Sequence, residues 1–414
     1  MTAIVGVLNK HGAAIAADSA VTMGNTHKVV NSANKIFTLS KYHPVAVMTY
    51  NYASFMGTPW DIIIKEYRKQ LGDKSFPTLK EYVDDFVSFL HDRNFFSDSV
   101  TQMSYLLYLL DFFYELCCQE ISKQNKIDVS KLTHDMIEKK LNDCIVGNVP
   151  AEKCPEEKSY SYSRFIKFAR STISDYAKQK GFGNVDLLAV SFFRYFTSTF
   201  SQPLYTGLVF VGYGESEIYP ALYPINVCIG VDKFLKYYVD TKNTCVISEH
   251  GTHADIVPFA QTDVTKTIIN GINPSFQDII YKIINKTVTS LTEDFAKILD
   301  SNPITAVLSS KVRGMDLNSN IQSSIDEINK EIHNMYTAPL LNTVVSLDKE
   351  DMANMAESFI SLTSLVRRMQ PAEETVGGPV DVAFISKGDG FVWINRKHYF
   401  KPELNAHFFN NYFR

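Results

Sequence analysis

The sequence predicts an α+β fold in which strands from both ends of the chain share one core, interrupted by two large helical blocks. Three observations carry that expectation. Strand signals cluster at residues 3–50, 207–230 and 380–395. Helical periodicity fills most of the two intervening stretches. The regular strand–helix alternation of a doubly wound sheet is missing.

Ala3–Leu8 (AIVGVL) is rich in β-formers, and Asn9–Gly12 has turn composition. Ala13–Ala17 is a strand of small residues ending at Asp18. Lys35–Leu39 alternates, and Val45–Tyr50 is an apolar run of the buried type. Pro59 occupies a plausible first helical position, and Asp61–Leu71 has helical spacing closed by Gly72. Leu79–His91, Val100–Ser122, Ser130–Leu141 and Tyr162–Gln179 follow with helical periodicity. Strands are predicted again at Gly207–Gly212, Glu217–Leu222 and Ile225–Gly230. A second helical block runs from about Phe259 to Met369, punctuated by Pro274, Pro303 and Pro339. Val380–Ser386 and Gly390–Asn395 then form a hairpin around Asp389-Gly390.

Composition removes several classes. The 414 residues include 28 Phe, 22 Tyr and 2 Trp, far too aromatic for a disordered chain. Lys and Arg number 41 against 45 Asp and Glu, a balance that argues against a nucleic-acid surface. The apolar stretch Tyr105–Cys118 is broken by Asp111 and Glu115, so no membrane span is expected. The N-terminus lacks the basic and apolar regions of a signal peptide. The six scattered cysteines suit buried reduced thiols, and a cytoplasmic location is expected.

The richest chemistry lies at the N-terminus. Thr2 is small enough that removal of Met1 by methionine aminopeptidase is expected. A free N-terminal threonine carries its own base, because an α-amine titrates near neutral pH and can accept the hydroxyl proton. A nearby cation keeps that amine neutral more readily. Lys35 could supply the cation, and Asp18 could hold the lysine. Threonine at the start of the first strand, aspartate at the end of the second and lysine opening a later one would meet at one sheet edge.

These residues carry a resemblance. Thr2-Ala-Ile-Val-Gly-Val, Ala16-Ala17-Asp18-Ser19, Thr22-Met23-Gly24-Asn25 and Asn34-Lys35-Ile36-Phe37 resemble the N-terminus of proteasome β-type subunits and their bacterial relatives. Gly207–Leu222 is similar to the central hairpin of that family. Gly377-Gly378-Pro379-Val380-Asp381 with Gly388-Asp389-Gly390 is similar to its closing strands. The resemblance covers about a third of the chain. It implies the N-terminal-nucleophile (Ntn) hydrolase fold, a four-layer αββα sandwich. It further implies Thr2 as nucleophile, Asp18 and Lys35 as its charge partners, and Thr22 as a contact to the substrate backbone. The backbone N–H near Tyr50 would be the oxyanion donor.

The sequence departs from the family at several points. Ala20 replaces an arginine, and one extra residue separates Asp18 from Lys35. Tyr50 or Asn51 stands where a glycine is usual, which requires a backbone that suits a non-glycine residue there. The late Asp-x-x-Ser support motif reads Glu373-Glu374-Thr375-Val376, and the serine that neighbours the nucleophile falls around Ser248.

Other patterns are weaker. His250-Gly251-Thr252-His253 looks like the histidine motif of subtilisin-type proteases, but the companion motifs are missing. Glu249, His250, His253 and Asp255 could hold a metal, yet they precede Pro258 without helical framing; solvated or hydrogen-bonded histidines are the plainer expectation, and no metal site is assigned. Gly212-Tyr213-Gly214 is read as a turn rather than a dinucleotide fingerprint.

The expected core is drawn from residues 1–72, 203–270 and 350–400. Helical insertions occupy 73–202 and 271–349, with an aromatic tail over 401–414. The expected activity is threonine-type peptidase chemistry on a peptide or protein, with no cofactor. The alternatives are a catalytically silent binding or assembly module of the same fold, or a small-molecule amidase. Through the resemblance, a homo-oligomeric ring and an ATPase partner are possible companions; nucleic acid and membrane are not expected.

Overall fold

A computed structural model describes residues 2–23, 28–133, 135–138, 141, 154–155, 157–198, 204–301, 305–370, 376–398 and 400–407. The chain divides into two compact units. The first comprises Met1–Ala33, Ile247–Phe384 and Trp393–Arg414. The second comprises Asn34–Val246 and Ile385–Val392. The architecture is mixed α and β, with antiparallel sheets and eleven α-helices among the described residues.

The first unit holds most of a five-stranded sheet, of which Ile385–Val392 is assigned to the second unit. Its strands are β1 (Ala3–Asn9), β2 (Gly12–Ala17), β13 (Ala254–Ala260), β14 (Asp381–Ser386) and β15 (Gly390–Asn395), in the order β13-β1-β2-β14-β15. Strands from the two ends of the chain therefore do share a sheet. β1 pairs Ala3 with Ala260 on one side and Ile4 with Ala17 on the other. All of β1 and β2 is buried. The small residues of β2 let helix α11 (Lys349–Met369) pack across β1 and β2 through Ala353, Ala356 and Phe359. Asp348 caps that helix by accepting from the Asp351 N–H. Asn9, fully buried, donates from Nδ2 to the carbonyls of Val344 and Leu347 at 2.9 Å each. A short hairpin, β3 (Val21–Met23) with β4 (Lys28–Val30), follows β2. Helices α6 (Asp263–Asn270), α7 (Pro274–Asp300), α8 (Ala306–Arg313), α9 (Asn318–Ile332) and α10 (Ala338–Ser346) lie between β13 and α11 in sequence.

The second unit carries the sheet β11-β10-β9-β6-β5. These are β5 (Ile36–Thr38), β6 (Val45–Asn51), β9 (Thr206–Gly212), β10 (Ala221–Val231) and β11 (Phe234–Val239). Short strands β7 (Ser54–Phe55) and β8 (Thr58–Pro59) pair before the helices, and β12 (Cys245–Val246) joins β10. Its helices are α1 (Trp60–Leu71), α2 (Leu79–Asp92), α3 (Ser99–Asn125), α4 (Tyr162–Lys180) and α5 (Val185–Thr197). Gly72 ends α1 at φ 56°, and Thr78 caps α2 by accepting from the Glu81 N–H, its hydroxyl donating to Glu81 Oε1. An aromatic core holds the unit: Phe86 lies 4.9 Å from the Tyr67 ring and 5.4 Å from that of Phe210. Cys117, Cys118, Cys154, Cys228 and Cys245 are buried thiols, and Cys144 lies outside the described residues.

Two expectations are corrected, both at prolines. Glu217–Leu222 and Ile225–Gly230 were expected as separate strands; a single strand, β10, runs from Ala221 through Pro224 to Val231. Pro224 pairs with Val209, and its carbonyl accepts from the Asp240 N–H at 3.0 Å, just past the end of β11. The missing proline N–H thus faces a point where the β11 ladder has ended. The second helical block was expected to begin near Phe259, but Ala254–Ala260 is strand β13. It is an edge strand, so Pro258 costs no central ladder bond.

Candidate active site

β1 and β2 run antiparallel, so Thr2 and Asp18 meet at one end of the first sheet. The Asp18 N–H donates to the Ala3 carbonyl at 3.1 Å, and the Ala3 N–H returns a bond to Asp18 Oδ1 at 2.9 Å. Asp18 Oδ2 accepts from the N–H groups of Ala20 at 3.1 Å and Gly377 at 3.2 Å. Asp18 is 1% exposed. Backbone donors converging on a buried carboxylate satisfy an ionised group that would otherwise be costly to bury.

The Gly377-Gly378-Pro379 segment closes this end. Ser19 donates from its N–H to the Gly377 carbonyl at 3.1 Å and from its hydroxyl to the Pro379 carbonyl. Gly378 has φ 74°, and a Cβ there would fall 2.8 Å from Asn31 Cβ. Glycine is required by both torsion and space.

Thr2 is 5% exposed, and its carbonyl accepts from the Gln261 N–H at 3.1 Å. Gln261 follows β13 directly, and Thr262 precedes α6. The end of β13 beside Thr2 therefore brings the Gln261 backbone to the candidate nucleophile, a residue the sequence reasoning missed. The register would have found it had Pro258 not hidden the strand.

Ser248 is placed elsewhere. It lies in the loop entering β13, where its N–H bonds the Thr252 carbonyl at 3.0 Å. That loop adjoins the strand end that pairs Ala254 with Asn9, opposite the end that pairs Ala260 with Ala3. Ser248 is not brought beside Thr2. His253 shares a ring-nitrogen hydrogen bond with the Glu249 carbonyl at 2.9 Å in the same loop. Thr22 stands on β3 opposite Val29. Glu373 lies outside the described residues.

Lys35 and Tyr50 belong to the second unit. Lys35, 4% exposed, immediately precedes β5, and its carbonyl accepts from the Thr49 N–H at 2.8 Å. This bond brings Lys35 level with Thr49 on β6, one residue before Tyr50. Asn51 has φ 73°, the left-handed region that asparagine tolerates better than most side chains. The backbone departure expected at Tyr50 or Asn51 therefore falls on Asn51. Its Nδ2 donates to the Tyr205 carbonyl at 2.8 Å. Tyr50 donates to Asn226 Oδ1 at 3.1 Å, and burial holds its hydroxyl above the ordinary tyrosine range. Its ring occupies the space a side chain at Gly207 would need.

No family model matches the chain, and no curated protein matches it. Among solved structures it is similar to an Anbu (Gly-1) mutant from Hyphomicrobium sp. strain MC1. The two are 9% identical with a TM-score of 0.31, over 100% of this chain and 92% of that one.

Proposed function

We propose that the chain is an N-terminal threonine hydrolase acting on amide bonds, most simply those of peptides. The observation that carries this reading is the Asp18 carboxylate, buried, held by backbone donors and bonded to the residue that follows Thr2. A strand-capping aspartate of the ordinary kind sits in solvent; this one is withdrawn from it. Each unit carries one large sheet with helices, the content that the αββα sandwich of an Ntn hydrolase requires.

Removal of Met1 would leave Thr2 with a free amine. The Thr2 hydroxyl oxygen would attack the substrate carbonyl carbon while its proton passes to that amine. The tetrahedral intermediate would then expel the leaving amine, which takes the proton. Water would hydrolyse the resulting ester. Lys35 as the cation, Thr22 as a substrate contact and the backbone N–H near Tyr50 as oxyanion donor rest on the sequence resemblance. A ring assembly and an ATPase partner rest on it too.

A second reading, a catalytically silent module of the same fold, is favoured by the position of Ser248 away from Thr2. Mass spectrometry separates the two. The hydrolase reading expects native protein without Met1 and a β-lactone or epoxyketone adduct on the Thr2 peptide, lost in Thr2→Ala. Retained Met1, or an unlabelled N-terminal peptide, supports the silent module. Profiling peptides against small amides then distinguishes a peptidase from an amidase.

A further inference from the structure

Thr2 and Ala3 share one peptide group, and both of its polar atoms are held. The Thr2 carbonyl accepts from the Gln261 N–H at 3.1 Å, and the Ala3 N–H donates to Asp18 Oδ1 at 2.9 Å. For a residue at a chain end, a fixed peptide plane is the main constraint on where amine and hydroxyl point, because only its own ψ and χ1 remain. Whatever anchors Gln261 and Asp18 therefore aims the candidate nucleophile.

Both anchors lead to the C-terminal end of α11. On one side, Ser364 donates from its hydroxyl to the Val376 carbonyl at 3.4 Å, and the next residue, Gly377, donates its N–H to Asp18 Oδ2 at 3.2 Å. On the other side, Arg367 donates from Nη2 to Asp263 Oδ1. Asp263 stands two residues after Gln261, in the first turn of α6. Arg367 Nη1 donates to Gln370 Oε1 at 2.9 Å. The Arg367–Asp263 pair joins the N-terminus of α6 to the last turn of α11, where an acid and a base suit the two helix dipoles.

Stability alone does not account for this pair. The Arg367 side chain is 13% exposed, against 40% for Arg313 in its surface bridge to Glu293. Arg367 Nε is buried with no hydrogen-bond partner among the described residues. Withdrawing a guanidinium from water with one donor unused is costly, and an apolar pair would fill the space without that cost. What the charged pair supplies is a fixed distance and direction between two elements.

We propose that Arg367 is a positioning residue for the candidate nucleophile. Through Asp263 it fixes the start of α6, hence the Gln261 N–H, hence the Thr2 carbonyl. It acts through the backbone and takes no part in proton transfer. The inference rests on the hydrolase reading for its effect on rate, whereas its effect on the Gln261–Thr2 bond is read separately.

Two measurements on the full-length chain test it: the kinetics of β-lactone labelling of the Thr2 peptide, and hydrogen exchange of the Gln261 amide. Arg367→Met keeps the apolar stem and removes the charge. It is expected to lower the limiting labelling rate about 10- to 100-fold, with the half-saturating β-lactone concentration little changed. Asp263→Asn is expected to do the same, and the double variant to be no slower than either. Arg367→Lys is expected to retain more of the rate than Arg367→Met. The Gln261 amide is expected to exchange faster in Arg367→Met and Asp263→Asn than in wild type. Lost folding lowers the fraction of chains labelled, whereas lost positioning lowers the rate at full final labelling. Variants labelled at the wild-type rate, single effects that add in the double variant, or an unchanged Gln261 amide overturn the assignment of Arg367 and leave the hydrolase reading in place. So does a smaller labelled fraction at an unchanged rate. A wild type that takes no label overturns the hydrolase reading, and the positioning role falls with it.

Discussion

Helices α3 and α7 are both 27 residues long, and both interrupt the strand-bearing parts of the chain. Their fates differ. Eight residues of α3 are buried, including Leu106, Leu110, Phe113 and Ile121, while α7 buries Ala296 alone. Yet α7 has the larger apolar stripe by periodicity, and α3 is apolar on several sides. Helical periodicity indicates that a face needs covering but does not say what covers it. Helices α4 and α5 cover α3: Phe113 lies 5.8 Å from the Phe192 ring and 5.0 Å from that of Tyr195. Among the described residues α7 is contacted by α6, α8 and α9, with Gln277 Nε2 donating to Asn329 Oδ1 at 2.9 Å, yet its large apolar side chains from Phe276 to Ile298 stay exposed.

The largest expected effect contrasts the two helices directly. Phe113→Ala removes a ring that is 1% exposed and should cost about 3–5 kcal/mol in chemical denaturation. Phe295→Ala in α7 should change monomer stability by less than about 0.5 kcal/mol. Equal costs would break the comparison.

A smaller effect is expected at Gln102, a buried polar residue on α3. Its Oε1 accepts from the Asp232 N–H at 3.1 Å. Gln102→Ala strands that donor and should cost about 1–3 kcal/mol. A near-neutral result would mean that water replaces the side chain.

Tyr176 donates to Asp111 of α3 at 2.8 Å, and burial, then this bond, raise its hydroxyl above the ordinary 10.0. A folded-state value above the unfolded one gives stability that is full below about pH 10 and is lost as pH rises beyond it. Tyr176→Phe should cost about 1 kcal/mol at neutral pH and flatten that alkaline loss. Urea titrations from pH 7 to 11 read both. A wild-type slope unchanged in the variant would remove Tyr176 from the account.

The smallest effect belongs to α7. Arg313 bridges Glu293 and Asp300 at the surface, with Nη2 to Asp300 Oδ2 at 2.7 Å. Arg313→Ala should leave the unfolding midpoint unmoved within error, because solvent screens exposed pairs. A large shift would show α7 and α8 to be more rigidly bound than their exposure suggests.

The candidate site divides in the same way. Asp18 was legible as the residue that ends the second strand, and the Gly377-Gly378 segment through the family resemblance. The Asp389-Gly390 hairpin was legible from its turn dipeptide, with Gly390 at φ 73°. Gln261 was not, because its place beside Thr2 depends on β13 pairing with a strand some 250 residues earlier. Pro258 concealed that strand and Pro224 split another, since a proline reads locally as an interruption and only the sheet decides whether its missing N–H matters. Ser248 was placed by alignment with the resembled family, and the antiparallel register puts it at the other end of β13.

By itself, the sequence determined the elements that rest on neighbours within a few residues: helical lengths, caps, turns and the apolar stripes that demand burial. The tertiary structure decided what lies against what: which 27-residue helix is covered, which strand joins Thr2, and where the left-handed backbone beside Tyr50 falls. The physical reason is range. Hydrogen bonds within a turn are fixed by local composition, whereas strand register and side-chain burial are set by partners hundreds of residues away.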